Sequence, residues 1–187
     1  MPLDIAIGIF LAMGVSRFFQ MPLTGIMIVA GILFALSPDA DYLIHLARGN
    51  SSKNAHLHRD TFHIPLVFIP LGVLLLYPFG QEWAVLFGAA SFLHFVHDSI
   101  GIGWGVQWLW PFVDTHYFFL YSYRPPGRTE YLPRQWFYAW PHRDIESLAA
   151  LHGDPDWIKN IYLRLHPFAL VEYAAFIIAV TVLILRG

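Results

Sequence analysis

The most constraining feature of this chain is an apolar stretch near its C-terminal end, residues 167–185, whose only charged residue is Glu172. A helix that crosses the hydrocarbon of a bilayer needs about 20 apolar residues, within a range of about 17–25. Helices suit this environment because every backbone hydrogen bond is made within the segment. The stretch has a suitable length and composition, so it predicts a transmembrane helix.

Four further apolar stretches precede it in the chain, at residues 3–19, 22–36, 64–79 and 83–97. The whole chain is 57% hydrophobic and 13% charged, against about 45–50% and about 25% in soluble domains. This balance argues against a free soluble protein and against disorder. We therefore expect an all-α, polytopic helical membrane protein, a single membrane domain over residues 1–187 with about five apolar helices. The middle three stretches are short for full spans, so buried core helices or shallow interfacial helices are the alternative for some of them.

The connections between the apolar stretches alternate between short and long. Short turns around Gln20 and Gly80 predict two helical hairpins, whereas the connections at residues 37–63 and 98–166 are long and lie on the opposite side. Nine of the 11 Lys and Arg residues lie in these long connections. Because cytoplasmic loops carry the excess of positive charge, we expect the N-terminus and the long loops in the cytoplasm and the C-terminus outside a cell (inner) membrane.

Residues 104–165 hold most of the Trp and Tyr residues and are interrupted by prolines. Aromatic rings with polar tips favour the headgroup region of a bilayer, which predicts a cytoplasmic cap that lies on the membrane face. A small soluble lobe that packs the same rings inward is an equally good interpretation. Within this segment, residues 144–152 and 155–165 are expected to form short helices, the second beginning at Asp154 and Pro155.

Composition also excludes several kinds of chemistry. The chain has no cysteine, so any metal must be bound by histidine and carboxylate side chains. It has 10 histidines, nearly as many as its lysines and arginines together. A net charge of -2 leaves no basic surface for nucleic acid, so we expect no nucleic-acid partner. The chain also lacks a Gly-x-Ser-x-Gly motif, which argues against a serine hydrolase.

The residues that could carry chemistry form three clusters at the predicted cytoplasmic ends of the apolar stretches. The clusters are Asp39 and Asp41, then His58, Arg59 and His63, and finally His94, His97 and Asp98. The predicted topology places all three on one side of the membrane at one depth, so they are expected to converge. Ionisable residues at the edges of apolar spans are costly and therefore indicate function.

The third cluster has the clearest local geometry. His94 and Asp98 are four residues apart, so they share one face of a helix. A histidine and a carboxylate at this spacing can bind one divalent ion, as the two histidines of the zincin helix do. His97 is a further ligand, a partner of a ligand, or a hydrogen-bonded core histidine.

In the first cluster, Asp39 and Asp41 lie at a predicted corner between a helix and a loop. There they could bridge two ions, or one could bind an ion while the other orients a histidine. Capping of a helix by Asp39 is the alternative. In the second cluster, we expect His63 in the first turn of the helix that Pro65 begins and His58 in the preceding loop.

These motifs resemble those of the YdjM-like membrane-bound metal-dependent hydrolases. The resemblance covers about residues 25–112 and consists of Pro-Asp-x-Asp, His-Arg-x-x-x-His and His-x-x-x-Asp, followed by a glycine stretch and Trp-Pro-Phe. Two positions depart from the family's pattern: Asp60 stands in place of a glycine and Phe62 in place of a threonine. The resemblance implies a metal and catalytic set, which in this chain is Asp39, Asp41, His58, His63, His94 and Asp98.

We therefore expect a metal-dependent hydrolase at the cytoplasmic membrane face, acting on a phosphoester of a lipid or lipid-linked substrate. The expected metal ligands are Asp41, His63, His94 and Asp98. One or two divalent ions are expected, with Zn²⁺ preferred for histidine and carboxylate ligands and Mn²⁺ as the other candidate. Asp39 or His58 would orient a ligand or act as general base, and Arg59 would bind the phosphate.

Two other classes of function fit the same residues. One is a non-enzymatic scaffold or regulator that binds a metal and uses the aromatic segment as a partner surface. The other is a small ion-coupled transporter, which the absence of an internal repeat makes less favourable. A metal ion with no vacant coordination position would favour the scaffold. A position of His94 and Asp98 in the middle of the membrane would favour the transporter.

Overall fold

The computed structural model describes residues 1–47 and 62–186, and the chain forms two compact units. The first unit comprises Met1–Pro38, Val67–His94 and the chain from Leu170 onward; the second comprises the described parts of Asp39–Leu66 and Phe95–Ala169.

The described residues are mostly helical. In chain order the elements are α1 (Pro2–Phe18), α2 (Gly25–Leu36), α3 (Ala40–Ala47), α4 (Pro65–Leu76), α5 (Gln81–Asp98), β1 (Thr115–Phe119), β2 (Phe137–Pro141), α6 (Ile145–His152) and α7 (Pro167–Arg186). Short 3-10 turns lie at Tyr77–Phe79 and His142–Asp144, and a π-helix covers Ile158–Leu163.

All five apolar stretches are helical, with bounds close to those expected from the sequence. Helix α2 begins at Gly25, later than expected, because the Thr24 hydroxyl accepts a hydrogen bond from the Met27 amide at 3.2 Å and caps the helix. Residues 37–63 were expected to be a loop, but α3 forms within them. Helix α2 ends just before Pro38, which has no backbone N–H to continue the helical hydrogen bonds, and a new helix starts two residues later.

Among the described helices, only α7 is long and apolar enough to cross a membrane by itself. Helix α2 and the segment Pro65–Phe79 are apolar but shorter. A 12-residue helix such as α2 reaches about 18 Å, less than the hydrocarbon thickness of about 30 Å.

Small residues bring α1 close to α2 in the first unit. A Cβ atom added to Gly8 would lie 2.6 Å from the carbonyl carbon of Gly31, so the two backbones touch at this point. Ala12, on the same face of α1 as Gly8, packs in a buried cluster with Leu86 of α5, and Ile9 packs in another with Ala179 of α7. Helix α1 is therefore the centre of this unit's core.

The outward faces of the first unit carry many exposed leucine and isoleucine side chains, which is typical of helices that contact lipid. They lie on α2, α4 and α7: Ile26, Leu33, Leu71, Leu74, Leu75, Ile177, Ile178, Ile184 and Leu185.

The second unit contains a two-stranded antiparallel sheet, which corrects the expectation of an all-α fold. Strands β1 and β2 pair with His116 opposite Trp140 and Phe118 opposite Tyr138. Both strands are rich in aromatic residues, which favour β-strands. The sheet was not predicted because the two strands that pair are distant in sequence. The aromatic side chains of this segment lie both inside the second unit and on its surface: Phe118 is fully buried, whereas Trp136 is 82% exposed.

Asp154, which precedes the π-helix in the chain, accepts several hydrogen bonds. It accepts hydrogen bonds from the Tyr123 hydroxyl and from Asn160 Nδ2, the latter at 2.9 Å. Burial, together with the hydrogen bond to Asp154, raises the pKa of Tyr123 above its ordinary range. Burial and the nearby Tyr138 raise the pKa of Tyr121 to about 12. The helix expected at residues 155–165 is a shorter π-helix, Ile158–Leu163, which begins later than Pro155.

Candidate metal centre

Asp39 and Asp41 flank the start of α3. Asp39 immediately precedes the helix, and Asp41 lies in its first turn, where the positive end of the helix dipole favours a carboxylate. The Asp41 side chain is almost fully buried, whereas that of Asp39 is 21% exposed. The alternative expected for Asp39 was a capping position at the start of a helix. Its place directly before α3 does not prevent its carboxylate from also belonging to the site.

His63 is fully buried and lies two residues before α4, not in its first turn as expected, because the helix begins only at Pro65. Its Nδ1 is 2.9 Å from Asp41 Oδ2, while its Nε2 is 3.1 Å from Asp98 Oδ2 and 3.7 Å from Asp39 Oδ1. Asp41 Oδ2 also accepts a hydrogen bond from the Phe62 amide at 3.2 Å. Asp41 therefore holds one side of the imidazole, and the other side points towards the two remaining carboxylates.

His94 and Asp98 lie one turn apart at the end of α5, as their spacing predicted. His94 Nδ1 is 3.2 Å from Oδ1 of Asp4, an α1 residue, and both side chains are 1% exposed. The second Asp4 oxygen lies 2.8 Å from the α-amino nitrogen of Met1. Sequence reasoning did not identify Asp4, although a lone acid within an apolar stretch is a signal that could have done so.

Four of these side chains form a group that could hold a metal ion. Asp39, His63, His94 and Asp98 each offer one ligand atom, and these atoms all lie within 4.8 Å of one another. Two imidazole nitrogens and two carboxylate oxygens are a donor set that suits Zn²⁺ and related divalent ions. The imidazoles are buried, whereas Asp39 and Asp98 are partly exposed at 21% and 14%, so the carboxylate edge of the group is the accessible one.

Of the other residues predicted for the site, the structure describes two and does not describe the other two. His58 and Arg59 lie outside the described residues. His97 is partly buried on α5 and is not one of the four residues of the group. Asp41 contacts the group through His63, so it lies behind an imidazole and is not itself one of the four.

Comparison with known proteins identifies the same family that the motifs indicate. The family model described as "YdjM inner membrane protein" matches residues 4–180. The inner membrane protein YbcI of Escherichia coli (strain K12) is 37% identical over 101 residues, which cover 49% of this chain and 57% of that protein. The aligned part thus spans little more than half the length of this curated relative. No solved structure matches the chain.

Proposed function

This chain belongs to the YdjM inner membrane protein family, and from that premise we propose that it is a metal-dependent hydrolase that cleaves a phosphoester of a lipid or lipid-linked substrate. The observation that carries the proposal is the position of His63. Its Nε2 faces Asp98 at 3.1 Å and Asp39 at 3.7 Å, while Asp41 holds its Nδ1. An imidazole oriented in this way is prepared to bind a cation.

We assign Asp39, His63, His94 and Asp98 as the ligands of one divalent ion, with Zn²⁺ preferred and Mn²⁺ as the other candidate. This assignment exchanges the roles expected for the two aspartates of the first cluster. Asp39 becomes a ligand because its carboxylate belongs to the group, and Asp41 becomes the residue that orients His63. A bound divalent ion makes water a stronger acid and stabilises negative charge on a phosphoryl oxygen.

The accessible carboxylate edge supports an enzyme over a closed structural site. Substrate and water can approach Asp39 and Asp98, which are partly exposed, whereas the two imidazoles are buried. A structural metal site has all its ligand positions filled, while a catalytic one keeps a position for water or substrate. His58 and Arg59 lie outside the described residues, and their roles stay predictions: His58 to orient a ligand or act as general base, and Arg59 to bind the phosphate.

The position of the group in the chain supports the substrate class. His63 and Asp39 each lie just before a helix, and Asp98 is the last residue of α5. Side chains at the ends of apolar helices lie at headgroup depth, where lipid phosphates are found. We propose the cytoplasmic face, because most basic residues of the chain lie in the connections on that side.

The proposal is tested by elemental analysis of the detergent-purified protein, followed by hydrolysis assays on phosphatidic acid and phosphatidylglycerol in mixed micelles. We expect close to one zinc or manganese ion per chain and metal-dependent release of phosphate or of a phosphorylated headgroup. His63→Ala and Asp98→Ala should lose both properties. His116→Ala is the matched control, since it removes a buried imidazole whose Nε2 contacts His142 at 3.0 Å, and it should keep both.

Two results would contradict the proposal in different ways. Wild-type protein that takes up no metal from added zinc or manganese would exclude the metal mechanism. Protein that binds the ion through the four residues but hydrolyses neither lipid phosphoester would instead favour the scaffold or regulator.

A further inference from the structure

Asp4 is a buried acid on α1, far in sequence from the three motif clusters. Its side chain is 1% exposed, and its Oδ1 lies 3.2 Å from Nδ1 of His94, which is equally buried. A carboxylate in such a place is costly unless it is paired or hydrogen-bonded. Two contacts offset this cost in the first unit: one carboxylate oxygen pairs with the α-amino group of Met1 at 2.8 Å, and the other lies against His94.

A related arrangement occurs at the other histidine of the group. His63 Nδ1 is hydrogen-bonded to the Asp41 carboxylate at 2.9 Å, and His94 Nδ1 has Asp4 Oδ1 at an ion-pair distance of 3.2 Å. Histidines that ligate metals usually donate their second ring N–H to a carboxylate or a carbonyl. This bond fixes which nitrogen carries the proton and the direction in which the other nitrogen points.

We infer that Asp4 is a positioning residue of the metal centre: it accepts the Nδ1 proton of His94, so that Nε2 presents its lone pair to the ion. This inference rests on the proposed metal function of the group. Helix α1 thereby contributes to the site without supplying a ligand. The consequence is that α1 fixes the ring orientation of one of the two imidazole ligands.

Two Asp4 variants separate the hydrogen bond from the charge. Asp4→Ala removes the acceptor altogether, whereas Asp4→Asn keeps a carbonyl oxygen that can still accept the Nδ1 proton. Ser16→Ala is the matched control, because Ser16 is a buried polar residue of the same helix whose hydroxyl donates to the Met21 carbonyl. All variants are made in the full chain and purified in the same detergent.

The first measurement is the Zn²⁺ affinity of the folded protein, obtained by competition with a chromophoric chelator. Loss of a carboxylate behind a ligating histidine typically lowers metal affinity about 10–100-fold, which is the decrease expected for Asp4→Ala. We expect a smaller decrease for Asp4→Asn and no change for Ser16→Ala. A purely structural Asp4 would lower the melting temperature but leave the affinity of the folded fraction unchanged.

The second measurement is the histidine tautomer, observed by NMR of ¹⁵N-histidine-labelled protein without metal. The His94 signals are identified by their loss in His94→Gln. In the wild type we expect His94 to carry its proton on Nδ1, and in Asp4→Ala we expect this preference to be lost. Asp4→Asn should retain it in part.

The outcomes are distinguishable from those of the proposed function. If the wild type binds zinc and His63→Ala does not, but Asp4→Ala binds it with wild-type affinity, the role of Asp4 is wrong and the metal centre stands. A His94 tautomer that is the same in the wild type and in Asp4→Ala would also overturn the inference. Wild-type protein that binds no zinc would overturn both.

Discussion

Asp41 and Asp98 hold the His63 imidazole from its two nitrogens. Asp41 Oδ2 lies 2.9 Å from Nδ1, and Asp98 Oδ2 lies 3.1 Å from Nε2. The ring is fully buried, and the edge of the Phe95 ring packs against it with the centroids 5.9 Å apart. The orientation of His63 is thus fixed by the hydrogen bond at Nδ1 and by packing on its apolar surface, which is what a rigid metal ligand requires.

Asp41→Asn should weaken zinc binding by about 10–100-fold without abolishing it, because it acts through the orientation of His63 and not through a direct bond. His63→Ala should cause a larger loss. The measurement is chelator competition at fixed pH. Asp144→Asn, which alters a partly exposed aspartate of the second unit, is the control and should bind as the wild type does. Equal losses in Asp41→Asn and His63→Ala would make Asp41 a ligand instead.

Removal of the metal should lower the thermal stability of the protein, because the ion is bound by Asp39, His63, His94 and Asp98. A ligand that binds only the folded state stabilises it by about 2.7 kcal/mol at 100 times its dissociation constant. EDTA should therefore lower the Tm of zinc-loaded wild type. It should leave the Tm of Asp98→Ala unchanged, because that variant no longer holds the ion. A chelator effect of the same size in both proteins would show that the stabilising ion binds elsewhere.

The contact between Gly8 and Gly31 should tolerate no larger side chain. A Cβ added to Gly31 would lie 2.4 Å from the Gly8 carbonyl oxygen, so Gly31→Ala must push α1 away from α2. Overpacking of this kind typically costs about 1–3 kcal/mol. Thermal unfolding in detergent measures the effect.

Gly14 is the matched control for this prediction. It lies in the same helix, α1, but a Cβ added there would meet nothing within 4 Å. Gly14→Ala should leave stability unchanged or raise it by about 0.5–1 kcal/mol, since alanine is the better helix former. If both alanine variants had the same Tm, the close approach of α1 and α2 would be wrong.

Alkaline pH should destabilise the second unit through its buried tyrosines. The folded pKa of Tyr121 is about 12, and that of Tyr123 is also raised, whereas unfolded tyrosine titrates near 10. The unfolded chain therefore loses its phenolic protons first. Stability from these groups is fully present below pH 10 and is lost as the pH rises to about 12.

Ultraviolet titration of the tyrosines checks this expectation. Asp154→Asn should lower the pKa of Tyr123, because it removes a negative charge that disfavours the phenolate. Burial remains in the variant, so we expect the pKa to stay above the ordinary value. An unchanged titration curve in Asp154→Asn would contradict the contribution of this aspartate.

Helix positions were predictable because the signal is local. The apolar stretch at residues 167–185 agrees with α7 at Pro167–Arg186, since length and hydropathy along one segment define such a helix. Strands β1 and β2 were missed because their stability comes from cross-strand pairs, such as Phe118 with Tyr138. Nothing in the local sequence of either strand identifies the strand with which it pairs.

The sequence by itself determined the kind of site: no cysteine, and histidine and aspartate clusters at the ends of apolar stretches. It also determined that His94 and Asp98 share a face, because the helical period sets that relationship. Only the tertiary structure decided which carboxylate meets which imidazole. Asp41 contacts His63 across 22 residues, and Asp4 reaches His94 from another helix. Such contacts depend on how helices pack, and packing depends on the shapes of many side chains at once, such as the close approach of Gly8 to Gly31.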